Sequence, residues 1–154
     1  MRLGLAVASV IVIADQIIKW WAISLLAEQP YGIEVLPFFN LILVWNQGIS
    51  FGIFGGGLMP PWLLGGVALA VALALVIWLR KAETRLLAAT IGLVIGGALG
   101  NVVDRFRFGA VADFLDFHWA GYHWPAFNLA DAAISVGVVI LLLDALLIGD
   151  ERHK

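Results

Sequence analysis

Four long apolar runs organise the chain, at about residues 3–26, 59–79, 86–103 and 127–148. Each approaches the roughly 20 residues that a helix needs to cross a bilayer core. The first run is interrupted by Asp15, Gln16 and Lys19, and the second opens on Pro60 and Pro61, which suit the first turn of a helix. Met1 through Asp15 has the hydropathy of a secretory leader. No small-residue cleavage site closes it, and Asp15-Gln16-Ile17-Ile18-Lys19 continues without a break, which predicts a retained helix. The pattern predicts an all-α integral membrane protein with four transmembrane helices in a single domain spanning 1–154.

The connections differ in charge. Arg80-Lys81-Ala82-Glu83-Thr84-Arg85 joins the second and third runs, Arg2 precedes the first, and the chain ends Asp150-Glu151-Arg152-His153-Lys154. From Glu28 to Leu58 there is no Lys or Arg. Basic residues favour the cytoplasmic side, so both termini and the 80–85 loop are expected there, and the connections at about 27–58 and 104–126 outside. Ile33–Trp45 is apolar, β-branched and aromatic, which predicts short strands with a turn marked by Pro37 and Asn40. Gly55-Gly56-Gly57 follows as a flexible run. The second outer connection, from Arg105-Phe106-Arg107-Phe108 to Asp113-Phe114-Leu115-Asp116-Phe117-His118-Trp119, reads as an aromatic and polar loop.

Composition agrees. The 154 residues are 62% hydrophobic and 13% charged, against roughly 25% charged in soluble domains. The net charge of −2 gives no reason to expect a nucleic-acid partner, and the seven Trp suit the headgroup level of a bilayer. Cysteine is absent, which excludes thiol catalysis, disulfides and Cys-ligated metals.

At about 1.5 Å of rise per residue, Asp15 lies roughly 18 Å and Lys19 roughly 24 Å into the membrane from the cytoplasmic side. Asn101 lies roughly 22 Å along the third helix, with Asp104 and Arg105 at its outer boundary. Asn128 and Asp131 fall in the first turn of the fourth helix, on the same side. Polar groups of three helices therefore share one leaflet, facing a bundle interior or wet cavity rather than lipid. Spacing supports common faces: Asp15 and Lys19 are four apart, as are Asn101 and Arg105, and Asn128 and Asp131 are three apart. Gly92, Gly96, Gly97, Ala98 and Gly100 would let neighbouring backbones approach.

Structural roles compete with chemical ones. Asp15–Lys19 reads as an i,i+4 pair, and Asp104 as the partner of Arg105. Asp116, His118, His123 and His153 read as solvated loop or tail residues, and no trustworthy zinc spacing occurs. Ser50 and Ser135 have no evident His or Lys partner, and Gly55–Gly57 lacks the Lys-Ser/Thr of a phosphate loop. Carboxylate chemistry remains, in which two close aspartates share a proton, one activating water and the other protonating the substrate. Asp131 is one candidate member, and spacing leaves Asp104, Asp113 and Asp116 open for the other. An ion or proton-coupled transporter would use similar residues, but would need them at both leaflets. Asp144 is the lone inner candidate.

Five motifs in order resemble those of the lipoprotein signal peptidases, the type II signal peptidases of bacteria. They are Asp15-Gln16-x-x-Lys19, Asn46-x-Gly48-x-x-Phe51, Gly100-Asn101-x-x-Asp104-Arg105, Val111-x-Asp113-Phe114 and Phe127-Asn128-x-Ala130-Asp131. The resemblance implies that Asp113 and Asp131 are catalytic, and that Asn46, Gly48, Asn101, Arg105 and Asn128 line the site. It gives Asp15 and Lys19 a supporting role. It further implies diacylglyceryl-prolipoprotein substrates cut before the lipidated cysteine, no metal and no cofactor. A monomer embedded in membrane lipid of the bacterial cytoplasmic membrane is expected, with the site at the outer leaflet. The 33–45 segment would form a small β-cradle and the 52–58 stretch a lid. Ile49-Ser50 stands where Ala-Ala is frequent in the family.

Overall fold

The computed structural model describes residues 1–48 and 60–151, with side chains through residue 146. The expected lid at 52–58, Phe51 of the second motif and the tail residues 152–154 lie outside the described residues. Among the described residues four helices carry the fold: α1 (Arg2–Leu26), α2 (Pro61–Leu79), α3 (Arg85–Phe108) and α4 (Leu129–Glu151). All four are long and apolar enough to cross a membrane. Their exposed positions are large and apolar, among them Val10, Ile17, Ile77 and Leu142, as a lipid-facing surface requires.

Local sequence explains the ends. Pro60, in extended backbone, precedes α2, and Pro61 occupies its first turn, where a missing N–H costs nothing. Thr84 caps α3 by accepting from the Leu87 N–H at 3.0 Å. α3 continues to Phe108, past the expected end at Val103. Asp104 and Arg105 end the apolar run but not the helix, because their side chains find partners inside the protein. The backbone stops at Gly109, which takes φ 71° and donates its N–H to the Arg105 carbonyl.

α3 is the central helix. α1 and α4 pack along it and α2 rests chiefly against it. A Cβ at Gly97 would collide with the Ala130 carbonyl oxygen, and one at Gly100 would come within 2.6 Å of Asp15 Oδ2. Small residues thus bring α1, α3 and α4 to close range beside the polar residues. The buried face of α1 is Gly4, Ala8, Asp15, Lys19, Ala22 and Leu26, spaced as one helical stripe. Apart from Leu26, the side chains turned inward are small or ionisable, while most large apolar ones face out.

The two connections at one end of the bundle form an antiparallel sheet in the order β1-β2-β3-β4. Its strands are β1 (Ile33–Leu36), β2 (Phe39–Asn46), β3 (Val111–Trp119) and β4 (Tyr122–His123). The first two match the strands expected in 33–45. Pro37 lies in the turn between them, whereas Asn40, expected there as well, belongs to β2. β3 and β4 lie within the connection at about 104–126 that was expected to be a loop. β3 exists because β2 supplies its ladder, pairing Asn40 with Asp116 and Val44 with Asp113. That partner is some seventy residues away and invisible to local pattern. Phe114 and Leu115 pack with Ile18, Ala22 and Leu26 of α1, fastening the sheet to the bundle.

Candidate active site

Lys19 is the hub of the polar cluster. Its ammonium lies 2.9 Å from Asp15 Oδ2 and 2.9 Å from Asp104 Oδ2, and donates to Asn101 Oδ1 at 2.9 Å. All three ammonium donors have acceptors. Lys19, Asp15 and Asp104 are at most 2% exposed, so the two carboxylates need more than one cation to offset their desolvation. Backbone and amide donors supply the rest. Ala130 N–H donates to Asp15 Oδ1 at 3.0 Å, Ala112 N–H to Asp104 Oδ2 at 3.2 Å, and Gln16 Nε2 to Asp104 Oδ1 at 2.9 Å. The expected pair of Asp104 with Arg105 is not the one formed: Asp104 turns to Lys19 across the α1–α3 contact. Gln16, quoted in a motif but given no role there, proves part of the cluster.

The start of α4 is held from two directions. Asp15 accepts the Ala130 N–H, one of the first-turn donors that a helix cannot satisfy itself. Asn128 Oδ1 accepts the Asp131 N–H at 3.0 Å, and Asp131 Oδ2 accepts the Asn128 N–H at 3.3 Å. This reciprocal arrangement has the logic of a capping box. Asp131 Oδ1 receives Asn101 Nδ2 at 2.9 Å.

Asp113 reaches the same place from β3. Its Oδ1 accepts from Asn128 Nδ2 at 2.6 Å and its Oδ2 from Asn46 Nδ2 at 3.0 Å. Asp113 is 1% exposed. Burial, first, and the facing charge of Asp131, second, raise its carboxyl from the ordinary 3.8 to about 7. Hydrogen bonds from Asn46 and Asn128 and the charge of Lys19 oppose the rise without cancelling it. Asn46 is itself anchored by the Gly48 N–H at 2.8 Å, and Arg105 donates to the Gly48 carbonyl at 2.8 Å and to the Asn101 carbonyl at 3.3 Å.

The residues singled out from sequence, namely Asp15, Lys19, Asn46, Gly48, Asn101, Arg105, Asp113, Asn128 and Asp131, therefore meet in one hydrogen-bonded cluster. Of the aspartates open as partners for Asp131, Asp113 shares Asn128 with it. Asp104 is committed to Lys19. Asp116, expected to be solvated, is 2% exposed. It accepts from Asn40 Nδ2 at 2.9 Å and faces His123 Nδ1 at 2.9 Å, and the His123 ring stacks on His118 at 4.9 Å. Cross-strand pairing of Asn40 with Asp116 buries it, which no motif signals. Beside the cluster, an apolar cavity of about 240 Å³ lies between α2, α3 and α4. Its lining includes Leu64, Val67, Val71, Ala98 and Ile134, together with Asn101 and Arg105. No group of three or more His, Cys, Asp or Glu suited to a metal occurs among the described residues.

Fold and cluster define a multi-pass membrane protein with a pre-assembled, buried carboxylate pair at one end of its helix bundle, an arrangement suited to proton transfer. Comparison with known proteins makes the class specific. The sequence profile described as Signal peptidase (SPase) II matches residues 7–147, and the chain belongs to that peptidase family. The lipoprotein signal peptidase of Methylorubrum extorquens is 45% identical over 150 residues, covering 94% of this chain and 86% of the relative. That of Nitrobacter hamburgensis is 42% identical over 153 residues, covering 96% and 93%. A solved bacterial membrane enzyme superposes with a TM-score of 0.82 at 32% identity, covering all of this chain and 93% of that one. A second gives 0.76 at 30% identity, covering 95% and 94%.

Proposed function

We propose that this protein is an aspartyl endopeptidase that removes the signal peptide from diacylglyceryl-modified prolipoproteins, cutting on the N-terminal side of the lipidated cysteine. The observation that carries the reading is the sharing of Asn128, whose side chain donates to Asp113 and whose backbone donates to Asp131. Two buried carboxylates fixed about one residue cannot both ionise freely, so the pair holds one proton between them. With its carboxyl raised to about 7, Asp113 holds a proton far more readily than an ordinary carboxyl and is assigned the acid role. Asp131 then takes a proton from water as the water oxygen bonds to the scissile carbonyl carbon. Asp113 gives its proton to the carbonyl oxygen. Collapse of the tetrahedral diol breaks the C–N bond: Asp131 gives its proton to the departing nitrogen while one diol hydroxyl gives its proton to Asp113, and the pair again holds one shared proton.

Substrate chemistry fits the surroundings. The apolar cavity reaches Asn101 and Arg105, so an apolar chain seated there would bring its polar end to the carboxylates. Asn46, Gly48 and Arg105 then present amide and guanidinium groups to the substrate backbone. In this reading both termini are cytoplasmic, the protein spans the bacterial cytoplasmic membrane as a monomer, and the cluster lies at the outer leaflet. The sheet is the cradle on that surface.

The test is cleavage of a diacylglyceryl-modified prolipoprotein by purified protein in nanodiscs. Asp113→Asn and Asp131→Asn should each lower the rate by at least about 1000-fold while thermal unfolding and gel filtration stay close to wild type. Wild-type turnover in either variant refutes the assignment. A thiol reagent should leave the rate unchanged, since the chain has no cysteine.

A further inference from the structure

We propose that Lys19 is a positioning residue that fixes which edge of the Asn101 amide meets Asp131. The inference rests on the reading of Asp113 and Asp131 as the reacting pair. Each of the three asparagines around that pair has two edges, a carbonyl and an NH2, and only the NH2 edge can donate to a carboxylate. In all three the carbonyl edge is occupied by a group able only to donate. Asn46 Oδ1 takes the Gly48 N–H at 2.8 Å, Asn128 Oδ1 takes the Asp131 N–H at 3.0 Å, and Asn101 Oδ1 takes Lys19 Nζ at 2.9 Å. Each Nδ2 is thereby turned to a carboxylate, at 3.0 Å for Asn46, 2.6 Å for Asn128 and 2.9 Å for Asn101.

Two of these locks are backbone and persist whatever the side chains. The third is Lys19. Asn128 Nδ2 also lies 3.3 Å from Asn101 Oδ1, but its short bond goes to Asp113, so it is a weak substitute. Without the ammonium the Asn101 amide can turn over and set its carbonyl against Asp131 Oδ1. Two acceptor oxygens face each other comfortably only when Asp131 carries a proton, and a protonated Asp131 cannot activate water. The residue four positions from Asp15 thus acts on the far side of α3, through one amide.

The test is a double-mutant cycle read on the pH–rate profile in nanodiscs. Other charges face the pair: Asp15 from α1, Asp104 and Arg105 from α3. Removing the Lys19 charge alone also pushes the acidic limb upward, and the cycle separates the two effects. Lys19→Met should raise the half-maximal pH of the acidic limb by about one to two pH units in the presence of Asn101. In the Asn101→Leu background the same substitution should move it by less than half as much. Equal movement in both backgrounds, or none in the first, overturns the proposal. Lys19→Met strands two carboxylates, so the cycle is repeated with Asp15→Asn, whose amide oxygen can still accept the Ala130 N–H. Where turnover is too slow, aspartate 13Cγ shifts titrate the pair directly and give the same comparison. Cleavage by Asp131→Asn would sink the underlying reading. Loss of cleavage there, with equal movement in the cycle, sinks only the role of Lys19.

Discussion

Asn128 and Asp131 cap each other at the start of α4, the Asn128 N–H donating to Asp131 Oδ2 and the Asp131 N–H to Asn128 Oδ1. The position of the Asp131 carboxylate is therefore the geometry of a helix start rather than of a loose side chain. The same Asn128 reaches Asp113 through Nδ2 at 2.6 Å, which links the strand to the helix. Asn128→Ala should cost about 1 kcal/mol in stability through the lost cap. It should slow cleavage by about 100-fold or more through the lost donor. Asn128→Ser keeps a capping oxygen but not the amide, so its thermal midpoint should recover while its rate does not. Recovery of both would show that the amide has no part beyond capping.

Gly97 tests how tightly the α3–α4 contact sets the site. A Cβ there meets the Ala130 carbonyl oxygen and comes within 2.7 Å of Ile134 Cγ1, and Ala130 adjoins Asp131. Gly97→Ala should cost about 1–3 kcal/mol in stability and slow cleavage at temperatures where the variant remains folded. Gly66, with nothing within 4 Å of an added Cβ, is the control, and Gly66→Ala should leave both quantities near wild type.

The elevated Asp113 links pH to stability. Its carboxyl titrates at 3.8 ordinarily and at about 7 in the fold, so between those values the folded protein retains a proton that the unfolded chain has released. Stability contributed at this site is accordingly highest below 3.8 and falls as pH rises towards 7. The full difference is on the order of 4 kcal/mol. Thermal midpoints from pH 4.5 to 8 should decline more steeply for wild type than for Asp113→Asn. Parallel curves would contradict the raised value.

Asp116 separates the stability of the sheet from the chemistry. It is buried between Asn40 and His123 and belongs to neither the proposed reacting pair nor the Lys19 cluster. Asp116→Ala leaves Asn40 without its carboxylate acceptor and should cost about 1–3 kcal/mol. At a permissive temperature the cleavage rate should stay within a few-fold of wild type. A loss comparable to that of Asp113→Asn would place Asp116 in the reaction.

Local sequence determined the four helices, because crossing a bilayer demands an apolar length that a hydropathy pattern records directly. Pro60-Pro61 marked the start of α2 in advance, whereas the caps at Thr84 and Asn128 emerged only in the structure. The inward stripe of α1 was legible too, since Asp15 and Lys19 at helical spacing have no other stable place in an apolar segment. Sequence did not determine partners. Asp104 stands beside Arg105 in the chain yet pairs with Lys19, because α1 and α3 pack closely enough for one buried ammonium to serve two helices. Nor did it reveal β3, whose ladder comes from β2, or the burial of Asp116, which follows from that ladder. By residue pattern alone Asp104, Asp113 and Asp116 were equivalent candidates to stand with Asp131. Family motifs implied Asp113, and the tertiary structure gives the three different partners: Asp104 is tied to Lys19 and Asp116 to Asn40, while Asp113 meets Asn128.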